Sequence, residues 1–351
     1  MNQDMVHPTE KRQNKLRLAD IAKRAGVSTA TVDRVIHQRP GVKPHTATHI
    51  EAVIREMESS LVGTASNRGP RGQLKFDVIL PKGANSFFNN LEQQVQAASQ
   101  EAGEDIVFNI QRIEGFNPSA LARCIRSLVG KTDGIAIVAI EDPTVREAVN
   151  STVDLGVPVV TLVSDLSNSR HQGYIGMDNR AAGRTAGYLM SRFVKSEGSI
   201  LMTAGSMSLR DHEEREIGFR RVLGECNARL PIIARLDDHD DYRRTYEETR
   251  EILQANSDLV GIYNIGAGNR GIANALIESG RQQNIIFIGH ELTSFSRQYL
   301  IDGTMDVVID QNPRSEVEQL KKVLIELNGD RSRPVDFALG QVTVIFRENL
   351  H

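Results

Sequence analysis

The sequence predicts a small all-α head followed by an α/β body built on parallel sheet, and three observations predict it. Near the N-terminus, "LADIAKRAGVSTATVDRVIHQRPGVKP" (18–44) carries apolar residues at helical spacing, interrupted by a glycine. Beyond residue 73, continuous apolar runs alternate with longer helical patterns, as in strands covered on both faces. Between the two lies "SSLVGTASNRGPRGQ" (59–73), whose Ser, Gly, Asn and Arg content is that of a linker.

Residues 1–15 are polar and charged and read as a disordered tail, which leaves 16–58 for the head, 59–73 for the linker and 74–351 for the body. In the head, Leu18, Ile21, Ala22 and Ala25 share one helical face, and Gly26 is placed to end that helix. Ser28 is a natural N-cap for a second helix with Val32, Val35 and Ile36 apolar. Thr46 opens a third, with Ile50, Val53, Ile54 and Met57 at helical spacing. In the body, apolar runs fall at 76–81, 106–110, 134–140, 158–163, 199–205, 259–265 and 284–290. Parallel sheets bind ligands at the carboxyl ends of their strands, so the residues just after each run are the candidates.

The net charge of −3 is unevenly spread. Residues 1–72 hold twelve Lys and Arg against seven Asp and Glu, whereas the remainder holds 30 against 38. A basic head on an acidic body points to a head that meets a polyanion. The N-terminus has no apolar run suited to export, and no stretch reaches the ~18 apolar residues of a membrane span, so a cytoplasmic protein without a membrane partner is expected. Cys124 and Cys226 lie far apart without metal-ligand spacing and read as buried small hydrophobes.

Two short helices around a Gly-containing turn form a helix-turn-helix when the second helix presents polar side chains near its start. Thr29, Ala30, Asp33 and Arg34 occupy that position, while Val32 and Val35 face inward. Arg34 suits bidentate contact with guanine, Asp33 suits a cytosine amine, and Thr29 or Ala30 suits a thymine methyl. Arg17, Ser28, Thr31, Lys43 and Thr46 are placed for phosphates. The stretch from Leu18 to Met57 resembles the head of the LacI/GalR family of bacterial transcription regulators, with its "DVA..AGVS..TVSRV.N" signature. The resemblance implies that Thr29 and Ala30 choose the operator sequence and that Arg34 is a shared DNA contact. Asp33 departs from it, since the family usually has Ser there. The linker departs too: only Leu61, Ala65 and Arg68 remain of the hinge-helix pattern whose Leu wedges into the minor groove, so a weaker operator kink is expected.

One motif argues for a different class. "GAGNRG" (Gly266 to Gly271) satisfies G-x-G-x-x-G between a strand and a helix, with Glu291 about twenty residues on, the local recipe for a dinucleotide. It lies late in the body, however, whereas that fingerprint opens the first strand–helix–strand unit of its domain. His212, His239 and His290 lack metal-ligand spacing, "DDHDD" (237–241) reads as a solvated loop, and no cofactor or catalytic constellation is expected.

From about Lys75 to Val344 the body resembles the type I periplasmic sugar-binding proteins, in "ANSFFNNLEQQVQAA", "VPVVTLVSDL", "GYIGMDNRAAGRTAGYL" and "REIGFRRVL". The resemblance implies two doubly wound parallel-sheet subdomains of discontinuous chain, about 74–175 with 312–340, and 176–311 with 341–351. It also implies an effector site from Asn85, Phe87, Phe88, Asp165, Arg215, Tyr242, Glu291 and Gln311, with an amide from Asn264 or Asn269. Carboxylates, arginine and amides bind hydroxyls directionally, and phenylalanines cover apolar sugar faces. Glu291 stands where the family usually has Asp, one methylene shorter, which suits a small effector. The expectation is a non-enzymatic homodimeric regulator, of the commoner repressor kind, that binds a near-palindromic operator and responds to a sugar or polyol.

Overall fold

The structure is a computed structural model that describes residues 18–36, 39–43, 45–50, 52–53, 72–83, 85–205, 208–226, 229–237, 241–329 and 334–350. It divides into a head and a body, the body beginning at Gly72. In the head, α1 (Leu18–Ala25) and α2 (Thr29–Ile36) join through Gly26, whose φ of 66° is the left-handed value that glycine tolerates. The Ser28 hydroxyl accepts from the backbone N–H of Thr31 at 3.2 Å, which caps α2. A third helix, α3, is described at 45–50 and 52–53. Ile21, Ala22, Ala25, Val32, Ile50 and Val53 form the small core. Ile36, assigned to that face from the sequence, is exposed, because it closes α2 beyond the reach of α1. Ile54, Met57 and the linker positions Leu61, Ala65 and Arg68 lie outside the described residues.

The body holds two sheets. β1 (Leu74–Lys82), β2 (Ile106–Glu114), β3 (Gly134–Ile137), β4 (Val159–Leu162) and β5 (Tyr174–Ile175) form the first, in the order β2-β1-β3-β4-β5 and wholly parallel. Its helices are α4 (Ser86–Glu101), α5 (Pro118–Leu128) and α6 (Pro143–Asp154), together with a later one, α12 (Pro313–Leu327). Side chains alternate between two cores. Phe76, Val78 and Leu80 face one core with Val138 and the α12 residues Leu320 and Leu324. Ile79, Ile135 and Ile137 face the other, with Leu121 and Val145. Burial on both faces explains the continuous apolar runs.

The second sheet has the order β11-β10-β9-β8-β6-β7. It is built from β6 (Ser199–Ala204), β7 (Ile232–Asp237), β8 (Leu259–Asn264), β9 (Ile286–His290), β10 (Val307–Asp310) and β11 (Thr343–Ile345). All pairings are parallel except β10 with β11. Its helices are α7 (Asn179–Phe193), α8 (Arg210–Cys226), α9 (Tyr242–Ala255), α10 (Asn269–Ser279) and α11 (Ser294–Ile301). The chain leaves the first sheet after Ile175, and Met177 already packs in the second sheet's core. It returns after Asp310 through α12, whose Val317 and Leu320 pack in the first sheet's core, and crosses again to β11. Met177 and Gly340 pair as a bridge where two of these passages run side by side. Cys226, read from the sequence as buried, is exposed at the end of α8, past the packing surface of Phe219, Val222 and Leu223; Cys124 is half-buried.

α7 and α8 approach closely because glycines face each other's backbone. A Cβ on Gly183 would lie 2.0 Å from the carbonyl oxygen of Arg215, and one on Gly218 would lie 2.2 Å from that of Arg180. Such spacing is available only to glycine, and α8 carries the buried arginine of the cleft. Gly183→Ala is expected to destabilise the body by about 1–3 kcal/mol through forced separation of the two helices. Urea unfolding followed by circular dichroism checks this; an unchanged midpoint would contradict it.

Candidate functional site

Strand order reverses between β1 and β3 in the first sheet and between β6 and β8 in the second, where crevices open at the carboxyl ends. A cavity of about 50 Å³ lies there. From the first sheet it takes Asn85, Ser86, Phe87 and Phe88 after β1, and Val163 after β4. From the second it takes Leu209, Asp211, His212 and Arg215 after β6, the turn from Ile265 to Arg270 after β8, and His290 and Glu291 at the end of β9. Thr293, Phe295 and Gln311 complete it.

Asn85 caps α4, its side chain accepting from Phe87 N–H at 2.9 Å, which turns the next two side chains into the cleft. Phe87 and Phe88 meet edge-on with ring centroids 5.3 Å apart, and both also pack in the first core. They form an apolar wall over polar groups from the other sheet.

Arg215 is the centre of that polar side, with 2% of its surface exposed. Its Nε donates to Asn179 Oδ1 at 2.8 Å and its Nη1 to the carbonyl of Ile265 at 3.1 Å. Its Nη2 lies 3.6 Å from Glu291 Oε1 and 4.0 Å from Asp211 Oδ2. Gln311 Nε2 donates to Glu291 Oε1 at 2.7 Å. Burial pushes the Glu291 carboxyl up, the Arg215 charge opposes this only in part, and the result is about 8. Glu316, on α12 and equally enclosed, is also held far above the usual carboxylate range by burial and by the charge of Glu291. His290 donates or accepts at Nε2 with the Tyr263 hydroxyl, 2.9 Å away, and burial then the Arg215 charge keep its ring neutral.

Two lining residues carry backbone strain, one from each sheet: Val163 at φ 67° and Glu291 at φ 71°. For a β-branched residue such a value is a true outlier, and strain of this kind costs about 1–3 kcal/mol and clusters at ligand sites. Four polar side-chain atoms on the lining are buried without a hydrogen-bond partner: Arg215 Nη2, Asp211 Oδ1, Glu291 Oε2 and Gln311 Oε1. Buried polar atoms are ordinarily paired, so these are the positions a bound molecule would satisfy.

The structure thus gathers Asn85, Phe87, Phe88, Arg215, Asn269, Glu291 and Gln311 around one space. Asn264 sits behind it, fully buried, donating to Asn269 Oδ1 at 2.7 Å and accepting from the Thr203 hydroxyl at 2.6 Å. Asn269 donates in turn to the carbonyl of His290 at 2.7 Å. Asp165 lines a different cavity of about 480 Å³, with Tyr174 and Arg180. Burial raises its carboxyl, but hydrogen bonds with His171 and Thr161 outweigh this and bring it to about 2. Tyr242 is not on the cleft lining; its ring lies under Arg270, 4.5 Å from the guanidinium carbon. Asp211 and His212 are additions that sequence reading missed, although Asp211 stands four residues before Arg215 on one helix face.

In the head, Thr29, Ala30 and Arg34 are exposed along α2, with Ser28 and Lys43 exposed beside them and Thr31 and Thr46 partly covered. Asp33 Oδ2 accepts from Arg39 Nη1 at 3.2 Å, an ion pair within the head. Arg17 lies outside the described residues. The G-x-G-x-x-G turn has a structural use. Asn264 Nδ2 donates to the Gly266 carbonyl at 2.9 Å, and a Cβ on Gly271 would meet Thr245 Cβ and the Tyr242 carbonyl at 2.8 Å, so this glycine lets α10 press on α9.

Cleft and head together define a ligand-responsive DNA-binding regulator. Residues 76–330 match the periplasmic binding protein domain and residues 17–58 the lacI family of bacterial regulatory proteins. The chain belongs to the periplasmic binding protein domain family and, with its head, is a transcriptional regulator of the lacI family. Among its relatives, catabolite control protein A of Staphylococcus epidermidis is 25% identical over 241 residues, covering 68% of this chain and 70% of that protein. The transcriptional regulator MalR of Clostridium butyricum is 23% identical over 298 residues, covering 81% and 85%. Among solved structures, the glucose-galactose binding protein GanP of Geobacillus stearothermophilus has a TM-score of 0.71 at 23% identity, over 79% of this chain and 99% of that one. A solute binding protein of Burkholderia graminis, in complex with D-arabinose, has a TM-score of 0.74 at 21% identity, over 80% and 98%. These likenesses establish the fold of the body.

The raised Glu291 carboxyl sets a pH dependence. Between its ordinary 4.5 and about 8, the unfolded chain ionises this group while the folded protein keeps the proton, so stability falls as pH rises through that window. The melting temperature of the unliganded protein is expected to decline from pH 4.5 to about 8, and Glu291→Gln to remove part of that decline. An identical slope in the variant would place the titrating group elsewhere.

Proposed function

We propose that the protein is a cytoplasmic, homodimeric repressor whose two heads read a near-palindromic operator and whose cleft binds a small sugar or polyol. The observation that carries the effector reading is the set of four unpartnered buried atoms on the cleft lining. Hydroxyl groups donate and accept together, so a polyol satisfies a guanidinium and several acceptors at once. Phe87 and Phe88 would cover its apolar face. The D-arabinose held by the Burkholderia graminis protein is consistent with this class. Ligand would favour one closure of the cleft, and the shift in DNA affinity is bounded by its differential affinity for the two states.

In the head, Thr29, Ala30 and Arg34 would contact bases, with Ser28, Thr31, Lys43, Thr46 and Arg17 on phosphates. The Asp33–Arg39 pair supports a reading in which Asp33 does not meet phosphates as a bare charge. The dinucleotide alternative is disfavoured by the packing use of Gly271 and the pinned Gly266.

Arg34→Ala is expected to lower operator affinity by about 1–3 kcal/mol, roughly tenfold to a hundredfold, and to leave ligand binding unchanged. Arg215→Ala is expected to abolish the effector response while specific DNA binding persists. Fluorescence anisotropy with operator DNA, with and without effector, reads both; retained sequence-specific affinity in the first or an unchanged titration in the second would refute the assignment. Tight NADH binding in a fluorescence titration would favour the dinucleotide reading instead.

A further inference from the structure

The inner corner of the cleft is rich in acceptors and poor in donors. Of its four unpartnered buried atoms, Arg215 Nη2 donates, whereas Asp211 Oδ1, Glu291 Oε2 and Gln311 Oε1 accept. Behind them stands Glu316, 3% exposed, with both carboxyl oxygens also unpartnered and its charge acting on Glu291. Three buried carboxyl groups thus surround the single guanidinium of Arg215.

We propose that the effector enters this corner with hydrogen-bond donors and no negative charge, as the neighbouring hydroxyls of an unphosphorylated, uncarboxylated sugar or polyol do, and that Glu291 is the residue that rejects anionic forms. The inference rests on the sugar or polyol reading above and narrows it. A phosphate ester or a sugar acid brings further acceptors to a corner that lacks donors and sets like charges against Asp211 and Glu291. Each hydroxyl can give its proton to one of the three free acceptors while a lone pair takes the Arg215 N–H. The strained φ of 71° at Glu291 shows that its placement is enforced by the surrounding fold. The second guanidinium on the lining, Arg270, is stacked over the rings of Tyr242 and Phe295, at 4.5 and 4.8 Å from their centroids. An anion anchored on Arg270 is the rival arrangement. The molecule sensed is therefore the unmodified compound and not its phosphate ester or its acid.

The test is isothermal titration of the full-length protein with matched sets: D-glucose, D-glucosamine, D-gluconate and D-glucose 6-phosphate; D-ribose and D-ribose 5-phosphate; D-arabinose and D-arabinonate; myo-inositol and its 1-phosphate. In the sets that bind, the uncharged member is expected to bind at least about tenfold more tightly than its phosphate or acid, and Glu291→Gln to narrow that gap. Tighter binding of the amine than of the parent sugar also supports the proposal and assigns the donors to an ammonium group. A phosphate or acid that binds as well as its parent overturns the proposal and leaves the sugar reading standing. Absence of binding by every member overturns both.

Discussion

The body is organised around one buried charge. Arg215 is removed from water, and a guanidinium so placed is tolerable only when its N–H groups are met and its charge is countered. Asn179 at the start of α7, the Ile265 carbonyl after β8 and Glu291 after β9 supply those partners. One side chain therefore ties together three segments of the second sheet's cleft edge. One turn further along α8, Phe219 stacks on Tyr263 with centroids 4.3 Å apart, and the Tyr263 hydroxyl reaches His290, the neighbour of Glu291. The glycine-mediated approach of α7 and α8 is what lets this helix stand where both contacts form.

The cleft is less settled than the cores around it. Strained backbone at Val163 and Glu291, a carboxyl raised to about 8 and unpartnered polar atoms all lie on its lining. Away from the cleft, the same strands are saturated with apolar contacts and regular ladders. Contacts between the loops of the two sheets already hold the cleft narrow: the Glu141 N–H donates to the Ser208 carbonyl at 2.9 Å, and the Arg210 N–H to the Ser164 hydroxyl at 3.1 Å. A ligand that satisfies the inner atoms adds to these contacts in the narrow form and loses its own partners when the cleft widens. Differential binding of this kind is what a regulator needs to couple a small molecule to a change of state.

How much of this was legible in the sequence follows from burial. Strands covered on both faces, such as β1, β3, β6 and β8, are continuous apolar runs and stand out. β5, β7 and β11 are sheet edges, two, six and three residues long, with partly exposed side chains, and β10 is only four residues long, so none makes a distinctive run. In the cleft, the residues that were legible follow a strand directly or sit at a fixed distance from a core residue, as Arg215 does four positions before Phe219. Asp165 and Tyr242 also stand near strand or helix ends, but their surroundings are set by tertiary partners, His171 and Arg270, that no local pattern reveals. The same holds in the head, where an acidic residue on a DNA-facing helix looks anomalous until Arg39 is placed beside it.

The central claim is that the Arg215 corner is an incomplete polar site finished by the effector. A crystal structure of the protein with a sugar or polyol that shifts its melting temperature tests this most directly. The account predicts ligand hydroxyls within hydrogen-bonding distance of Arg215 Nη2, Asp211 Oδ1, Glu291 Oε2 and Gln311 Oε1, with the sugar ring against Phe87 and Phe88. A ligand seated instead in the cavity beside Asp165 and Tyr174, with those four atoms unchanged, would contradict it.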